Sequence, residues 1–346
     1  MNDKERDVAF DNLKAFSAFL VIIIHVCAME WRKIDIHSIQ WMILHFYDMI
    51  SKVSVVLFFM VSGRYFLDPS NEVTGRKIIQ KIVRIVKAFI FWSAVYCVFT
   101  GIRIYLDGGN IRENLNWILV EFFTGEYHMW FLYAIAGLYL VTPFLRKITE
   151  SKSLSEYFLV LFVLFGLSKP MLEKLPKVGV FLRSMNFSDS VNLVLGFAGY
   201  YVLGYYLYRY TLKKRQKKVL YFMGVLATIF TIVSTFIMTQ KTGVANEELA
   251  TYLTLNVGIS SSAVYVFFLT FFEEKKSDKF VSIISKYSFG CYLVHPMFLW
   301  IFEMNGLVPS LFSPVISVPV IAGIVMVFSI VTSFIFSKLP ILKEVV

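Results

Sequence analysis

The chain alternates between long apolar runs and short polar stretches. Each run is about twenty residues long, the length that an α-helix needs to cross a hydrocarbon core of roughly 30 Å. The pattern predicts an all-α fold, a polytopic integral membrane bundle of about ten transmembrane helices, in a single domain over residues 1–346. The predicted spans are approximately 10–30, 40–67, 78–105, 128–146, 154–172, 190–210, 218–238, 252–272, 281–303 and 315–337.

Composition agrees with a membrane protein. Hydrophobic residues make up 57% of the chain and charged residues only 17%, whereas a soluble domain of 346 residues needs a more polar surface. The net charge of +10 does not indicate a nucleic-acid partner, because Lys and Arg gather in short runs between apolar segments, as in 213–218. Cys27, Cys97 and Cys291 lie far apart in apolar runs, so we expect no metal or redox motif.

The distribution of positive charge predicts an orientation in the cell membrane. If the N-terminus is cytoplasmic, most of the 34 lysines and arginines fall in stretches on the inner side. The positive-inside rule therefore predicts a multi-pass protein with both termini in the cytoplasm. The 106–127 loop then faces outside, and its segment "NWILVEFF" (116–123) is expected to form a short interfacial helix.

The first predicted span carries ionisable residues, which are costly inside a bilayer and usually functional. Lys14 and His25 are separated by three helical turns plus about 20°, so they share one helix face, and Asp11 lies near the same face. A neutral imidazole can act as a general base or as a nucleophile at physiological pH. The alternative is a buried histidine bonded to a carbonyl, with Lys14 reaching to lipid headgroups.

A stripe of cations marks the inner ends of the second and third predicted spans. Arg64 follows a Ser-Gly pair, and further cations recur every three to four residues along one helix face: Arg76, Lys81, Arg84 and Lys87. The stripe fits either a polyanionic ligand that enters from the cytoplasm or an anchor at the membrane surface.

Two later spans carry further candidate residues. His128 and Trp130 open the fourth span, where Trp130 could also serve as an interfacial anchor. His295 precedes Pro296, which frees a backbone carbonyl, so this histidine is either functional or part of a satisfied helix kink.

Taken together, these stretches resemble the acyltransferase-3 family of membrane O-acyltransferases. Lys14 and His25 are similar to its first-span motif of a basic residue, ten positions and a histidine. "FFMVSGRYFL", "HMWFLYAIAGLYLVTPFL", "FAGYYVLGYYL" and "CYLVHPMFL" resemble its later segments. Lys81 and Arg84 resemble its paired basic motif, with Lys in place of the usual first Arg, which is expected to weaken bidentate phosphate contact.

The resemblance implies transfer of an acyl group, with acetyl as the expected one, from cytoplasmic acetyl-CoA to a hydroxyl of an envelope glycan or lipid-linked sugar. It implies catalytic roles for His25, Lys14 and Asp11, and coenzyme A binding by Arg64, Arg76, Lys81 and Arg84. The expected substrate-binding residues are His128, Trp130 and His295, with membrane lipids as the other partners and no metal. The rival interpretation is a transporter or flippase for a glycan or anionic solute; a receptor or scaffold would have no need of an intramembrane histidine.

Overall fold

The computed structural model describes residues 7–174, 179, 188–276 and 278–346, and this part of the chain is helical without strands. The helices are α1 (Val8–Ala28), α2 (Ile39–Ser51), α3 (Val53–Leu67), α4 (Gly75–Leu106), α5 (Leu115–Thr124), α6 (Trp130–Thr149), α7 (Lys152–Leu172), α8 (Ser188–Arg209), α9 (Lys214–Thr242), α10 (Leu255–Phe271), α11 (Lys279–Met304) and α12 (Pro314–Lys338). Within α7, residues Phe162–Ser168 are π-helical.

The length and apolar character of the helices confirm a polytopic helical membrane protein. Eight helical segments in the described residues are long and apolar enough to cross a membrane, and α2 and α3 together form one of them. Two further long segments pack in the same bundle: α8, which spans 22 residues with a kink at Gly196, and α11, which has 26 residues. These segments correspond to the apolar runs from which about ten helices were predicted.

Helix α1 lies in the centre of the bundle. It packs against α2, α3, α10, α11 and α12. In its most apolar window 72% of the residues are buried, against 22% in α7 and in α9, which lie at the periphery. Polar side chains on α1 therefore face protein rather than lipid.

Two glycines allow α3 and α8 to pack closely. A Cβ atom on Gly63 would lie 1.8 Å from the Tyr201 carbonyl oxygen, and one on Gly204 would lie 2.1 Å from the Met60 carbonyl oxygen. Neither position can therefore hold a larger residue without moving the backbones apart. The Ser-Gly pair that begins at Ser62 thus has a packing role as well as a place in the family motif.

The apolar run predicted as one helix over 40–67 is broken at Lys52, between α2 and α3. The Lys52 ammonium is buried and lies 3.1 Å from the Asp48 carboxylate and 2.7 Å from the Glu247 carboxylate. Arg32 pairs with Glu247 at 3.0 Å. These ion pairs stabilise a buried cation at the break, because an unpaired charge there would carry a large desolvation cost.

The predicted short helix in the 106–127 loop is confirmed as α5. None of its residues is buried, and Trp117 and Phe123 are 65% and 71% exposed. Helix α5 packs against α4. An exposed apolar helix of this length suits the membrane interface.

Candidate active site

His25 lies where two cavities meet. The first, which we call the basic cavity, has a volume of about 640 Å³ and is lined by His25 together with Lys14, Lys81 and Arg84. The second, which we call the acidic cavity, has a volume of about 740 Å³ and is lined by His25 together with Glu121, Glu126 and Glu303. His25 is therefore common to the linings of both cavities.

The basic cavity combines a cationic region with apolar walls. Lys14 comes from α1, and its Nζ lies 4.9 Å from the centre of the Tyr65 ring. Lys81 and Arg84 come from α4 and also line an adjoining cavity of about 360 Å³, to which Lys77 contributes a further cation. The remaining walls are largely aromatic or aliphatic, and include Phe58, Phe131, Ile135 and Tyr139. This arrangement suits a ligand with an anionic end and a long, weakly polar arm.

Three histidines form a cluster at the end of the basic cavity that contains His25. The ring centroids of His25 and His295 are 5.1 Å apart, and those of His295 and His128 are 5.5 Å apart. His128 lines the basic cavity and is 2% exposed. The Leu293 carbonyl lies near its ring, but neither ring nitrogen completes a hydrogen bond of good geometry. Among the described residues, no group of histidines, cysteines and carboxylates is arranged to hold a metal ion.

The acidic cavity contains a pair of interacting carboxyl groups. Glu121 and Glu126 interact electrostatically, and the Thr100 hydroxyl donates to Glu121 Oε1 at 2.9 Å. Burial and then the neighbouring Glu121 raise the pKa of Glu126 to about 7. Trp117 and Trp300 also line the acidic cavity. Carboxyl oxygens accept hydrogen bonds from hydroxyl groups, so the cavity suits a hydroxyl-bearing molecule.

The structure brings most of the predicted site residues together. Lys14, His25, Lys81, Arg84, His128 and Trp130 all line the basic cavity. Trp130 packs against Phe197 and Tyr252 rather than standing alone at the membrane interface. His295 is fully buried beside His25 and lines neither cavity.

Three predicted residues lie elsewhere. Arg64 pairs with Asp68 at 2.9 Å and stacks on the Tyr208 ring at 3.7 Å, so its charge is already engaged outside both cavities. Arg76 is exposed at the start of α4. Asp11 is buried and accepts a hydrogen bond from Ser285 of α11 at 2.5 Å, so it links two helices instead of contacting His25.

Residues 344–346 contact the cationic face of α4, which sequence reasoning did not anticipate. Lys87 pairs with Glu344 at 2.5 Å, and Trp92 Nε1 donates to the Val345 carbonyl at 2.9 Å. Arg84 donates to the Val346 carbonyl at 2.5 Å. Arg84 therefore contacts residue 346 and also lines the basic cavity, whereas Lys87 pairs with Glu344 and does not line it.

Sequence reasoning also missed the two carboxyl residues of the acidic cavity. Glu121 lies in the apolar helix α5, and Glu126 lies five positions later in the connection to α6, where single acidic residues are common. Only the packing of α5 on α4 places them opposite Thr100. The pattern of α5 would have revealed only Glu121, as the one charged residue of this helix.

Comparison with known proteins identifies the family of the chain. A family model described as an acyltransferase domain matches residues 7–338, which is nearly the whole chain. Neither a curated protein nor a solved structure matches. The matched region includes every residue of the histidine cluster and the cations of the basic cavity. The chain belongs to the acyltransferase-3 family, and the protein is an acyltransferase.

Proposed function

We propose that the protein transfers an acyl group, most simply acetyl, from cytoplasmic acetyl-CoA to a hydroxyl of an envelope glycan or lipid-linked sugar on the outer side of the membrane. The observation that carries this proposal is that His25 lines both cavities. One side chain can therefore meet a donor that arrives through one cavity and an acceptor that arrives through the other.

The basic cavity is the donor site in this proposal. Lys14, Lys81 and Arg84 offer charge-assisted hydrogen bonds to the phosphates of coenzyme A. The aromatic and aliphatic walls suit the pantetheine arm, which extends toward His25. His128, whose ring nitrogens lack well-formed hydrogen bonds, donates to the carbonyl oxygen of the thioester.

The acidic cavity is the acceptor site. Glu121 and Glu126 accept hydrogen bonds from sugar hydroxyls, and the faces of Trp117 and Trp300 contact the apolar face of a sugar ring. An acceptor in this cavity reaches the imidazole without passing the donor phosphates. The positive charge of the inner stretches supports an orientation in which the basic cavity opens to the cytoplasm.

His25 acts as the general base for a direct transfer. The acceptor hydroxyl oxygen attacks the thioester carbonyl carbon while His25 takes the hydroxyl proton. The negative charge that develops on the carbonyl oxygen is stabilised by the N–H of His128. The carbon–sulfur bond then breaks, and the coenzyme A thiolate takes the proton from His25. The products are the ester and free coenzyme A, and the imidazole returns to its neutral form.

Reconstituted vesicles test the division between the two cavities. Protein of uniform orientation is placed in liposomes, and labelled acetyl-CoA and a crude envelope-glycan acceptor are supplied in the same or in opposite compartments. We expect labelled glycan only when donor and acceptor are in opposite compartments, with the donor on the side of the termini. Transfer that requires both in the same compartment would contradict the proposal.

A further inference from the structure

His295 and Pro296 form a local arrangement in α11 that fixes the protonation of the imidazole. Pro296 has no backbone N–H, so the Tyr292 carbonyl, four residues earlier, loses its normal helical hydrogen bond. His295 Nδ1 lies 2.7 Å from this carbonyl oxygen. A carbonyl can only accept, so Nδ1 carries the hydrogen and, in the neutral ring, Nε2 carries a lone pair.

The lone pair of His295 Nε2 accepts no hydrogen bond in the described structure. The residue is 0% exposed, and Nε2 makes no hydrogen bond. Leaving a buried acceptor unsatisfied costs free energy, so such an atom calls for an explanation. Because His295 lines neither cavity, the lone pair is available to protein groups rather than to a substrate.

His25 is the neighbour that can use this lone pair. Among the described residues, its ring lies against those of His295 and Tyr127, with centroids 5.1 Å away in both cases. At this separation, a nitrogen of His25 that turns toward His295 comes within hydrogen-bond length, about 3 Å. A histidine base needs a third group that holds its tautomer and orientation.

We propose that His295 is a positioning residue of the active site: its Nε2 accepts the N–H of His25 and so directs the other nitrogen of His25 toward the acyl donor and the hydroxyl. This inference rests on the proposed role of His25 as the base. When His25 takes the hydroxyl proton, its N–H bond to His295 becomes charge-assisted and stabilises the imidazolium. The proton then passes to the thiolate, and His295 neither gains nor loses one.

His295, as a neutral partner of His25, adds no negative charge beside the transition state. The transition state places negative charge on the carbonyl oxygen and on the departing sulfur, in a low-dielectric interior where like charges repel strongly. A carboxylate beside His25 would oppose that charge. An imidazole with a fixed tautomer orients the base without adding a negative charge.

Two substitutions separate this role from a purely structural one, because the two roles use different nitrogens. His295→Asn keeps an amide N–H near the Nδ1 position and retains the bond to the Tyr292 carbonyl, but it has no atom near Nε2. His295→Gln can place its amide oxygen near Nε2, but it gives up the Nδ1 position. The positioning role predicts that Gln is the better substitute, and a structural role predicts that Asn is.

The experiment measures kcat, the KM for acetyl-CoA and the melting temperature of purified wild-type protein and both variants. We expect His295→Asn to lower kcat by roughly 10²-fold, the lower end of the range for loss of general-base assistance, with a similar KM and similar melting. His295→Gln is expected to retain about ten times the kcat of His295→Asn. Near-wild-type turnover in His295→Asn, or equal kcat in the two variants, would overturn the inference.

His25→Ala distinguishes a failure of this inference from a failure of the proposed function. If His25→Ala abolishes transfer while His295→Asn leaves it intact, His25 is still the base and only the positioning role is wrong. If folded His25→Ala transfers at the wild-type rate, the proposed mechanism fails and the role of His295 fails with it.

Discussion

Lys14 and His25, about three turns apart on α1, line the same cavity. Because α1 is buried in the centre of the bundle, the distance between the two side chains along the helix axis is set by helix geometry, at about 16 Å. One rigid element thus connects a cation that suits a phosphate with the imidazole proposed to act on the thioester. The fixed spacing of Lys14 and His25 determines the direction from which the donor approaches His25.

The cations of α4 provide a test of donor binding with an internal control. Lys81 and Arg84 line the basic cavity, whereas Arg76 is on the same helix but outside the cavity. Arg84→Ala or Lys81→Ala should weaken acetyl-CoA binding by about 1.5–3 kcal/mol, the value of a charge-assisted hydrogen bond. Arg76→Ala should change the affinity little. Calorimetry or equilibrium dialysis in detergent measures the dissociation constants.

The same variants test whether the affinity for acetyl-CoA depends on salt concentration. Increasing ionic strength should weaken donor binding to the wild type more than to Arg84→Ala, because one screened phosphate contact is already missing. If Arg84→Ala bound acetyl-CoA as tightly as Arg76→Ala and the wild type do, the α4 cations would be membrane anchors.

The Glu121–Glu126 pair predicts a pH dependence of stability. Burial and the neighbouring Glu121 raise the pKa of Glu126 from its ordinary value of 4.5 to about 7 in the folded protein. Between these values the folded state binds more protons than the unfolded state, so stability falls as pH rises through this interval. Melting temperatures at pH 5 and pH 8 should therefore show the wild type losing stability relative to Glu126→Gln. A constant difference between the two proteins would contradict the raised pKa.

The break between α2 and α3 predicts a large effect on stability. Lys52→Met leaves the buried Asp48 carboxylate without its cation, so the free energy of unfolding should fall by about 3–5 kcal/mol. The matched control is Lys147→Met, whose pair with Glu150 is exposed and should contribute less than about 1 kcal/mol. Denaturant titration in detergent checks both. Recovery of stability in the Lys52→Met/Asp48→Leu double variant would identify the unpaired charge as the cause.

The orientation inferred from charge has a direct test. Asn110 lies in the connection between α4 and α5, beyond the outer end of α4 in the proposed topology. In intact cells, an Asn110→Cys variant that also carries Cys97→Ser should react with a membrane-impermeant thiol reagent from outside. The two remaining cysteines, Cys27 and Cys291, are buried and should not react. Labelling only after the cells are opened would reverse the topology.

Helical periodicity predicted the parts of the site that lie on single helices. The shared face of Lys14 and His25 on α1, and of Lys81 and Arg84 on α4, follows from residue spacing, and both pairs line the basic cavity. Periodicity assigns a face but not a partner, so it could not distinguish Arg84 from Arg64, which pairs with Asp68 one turn later. The contact between His25 and His295 joins the first helix to α11, and no local pattern predicts which distant helices pack together.

The central claim, that His25 performs the transfer between the two cavities, is tested most directly by His25→Ala. Purified wild-type and variant proteins are supplied with labelled acetyl-CoA and an envelope-glycan acceptor, and acetyl-CoA binding and melting temperature are measured on the same preparations. The account predicts a folded variant that binds acetyl-CoA normally and transfers its acetyl group about 10²–10⁴ times more slowly. A folded His25→Ala protein that transfers at the wild-type rate would contradict it.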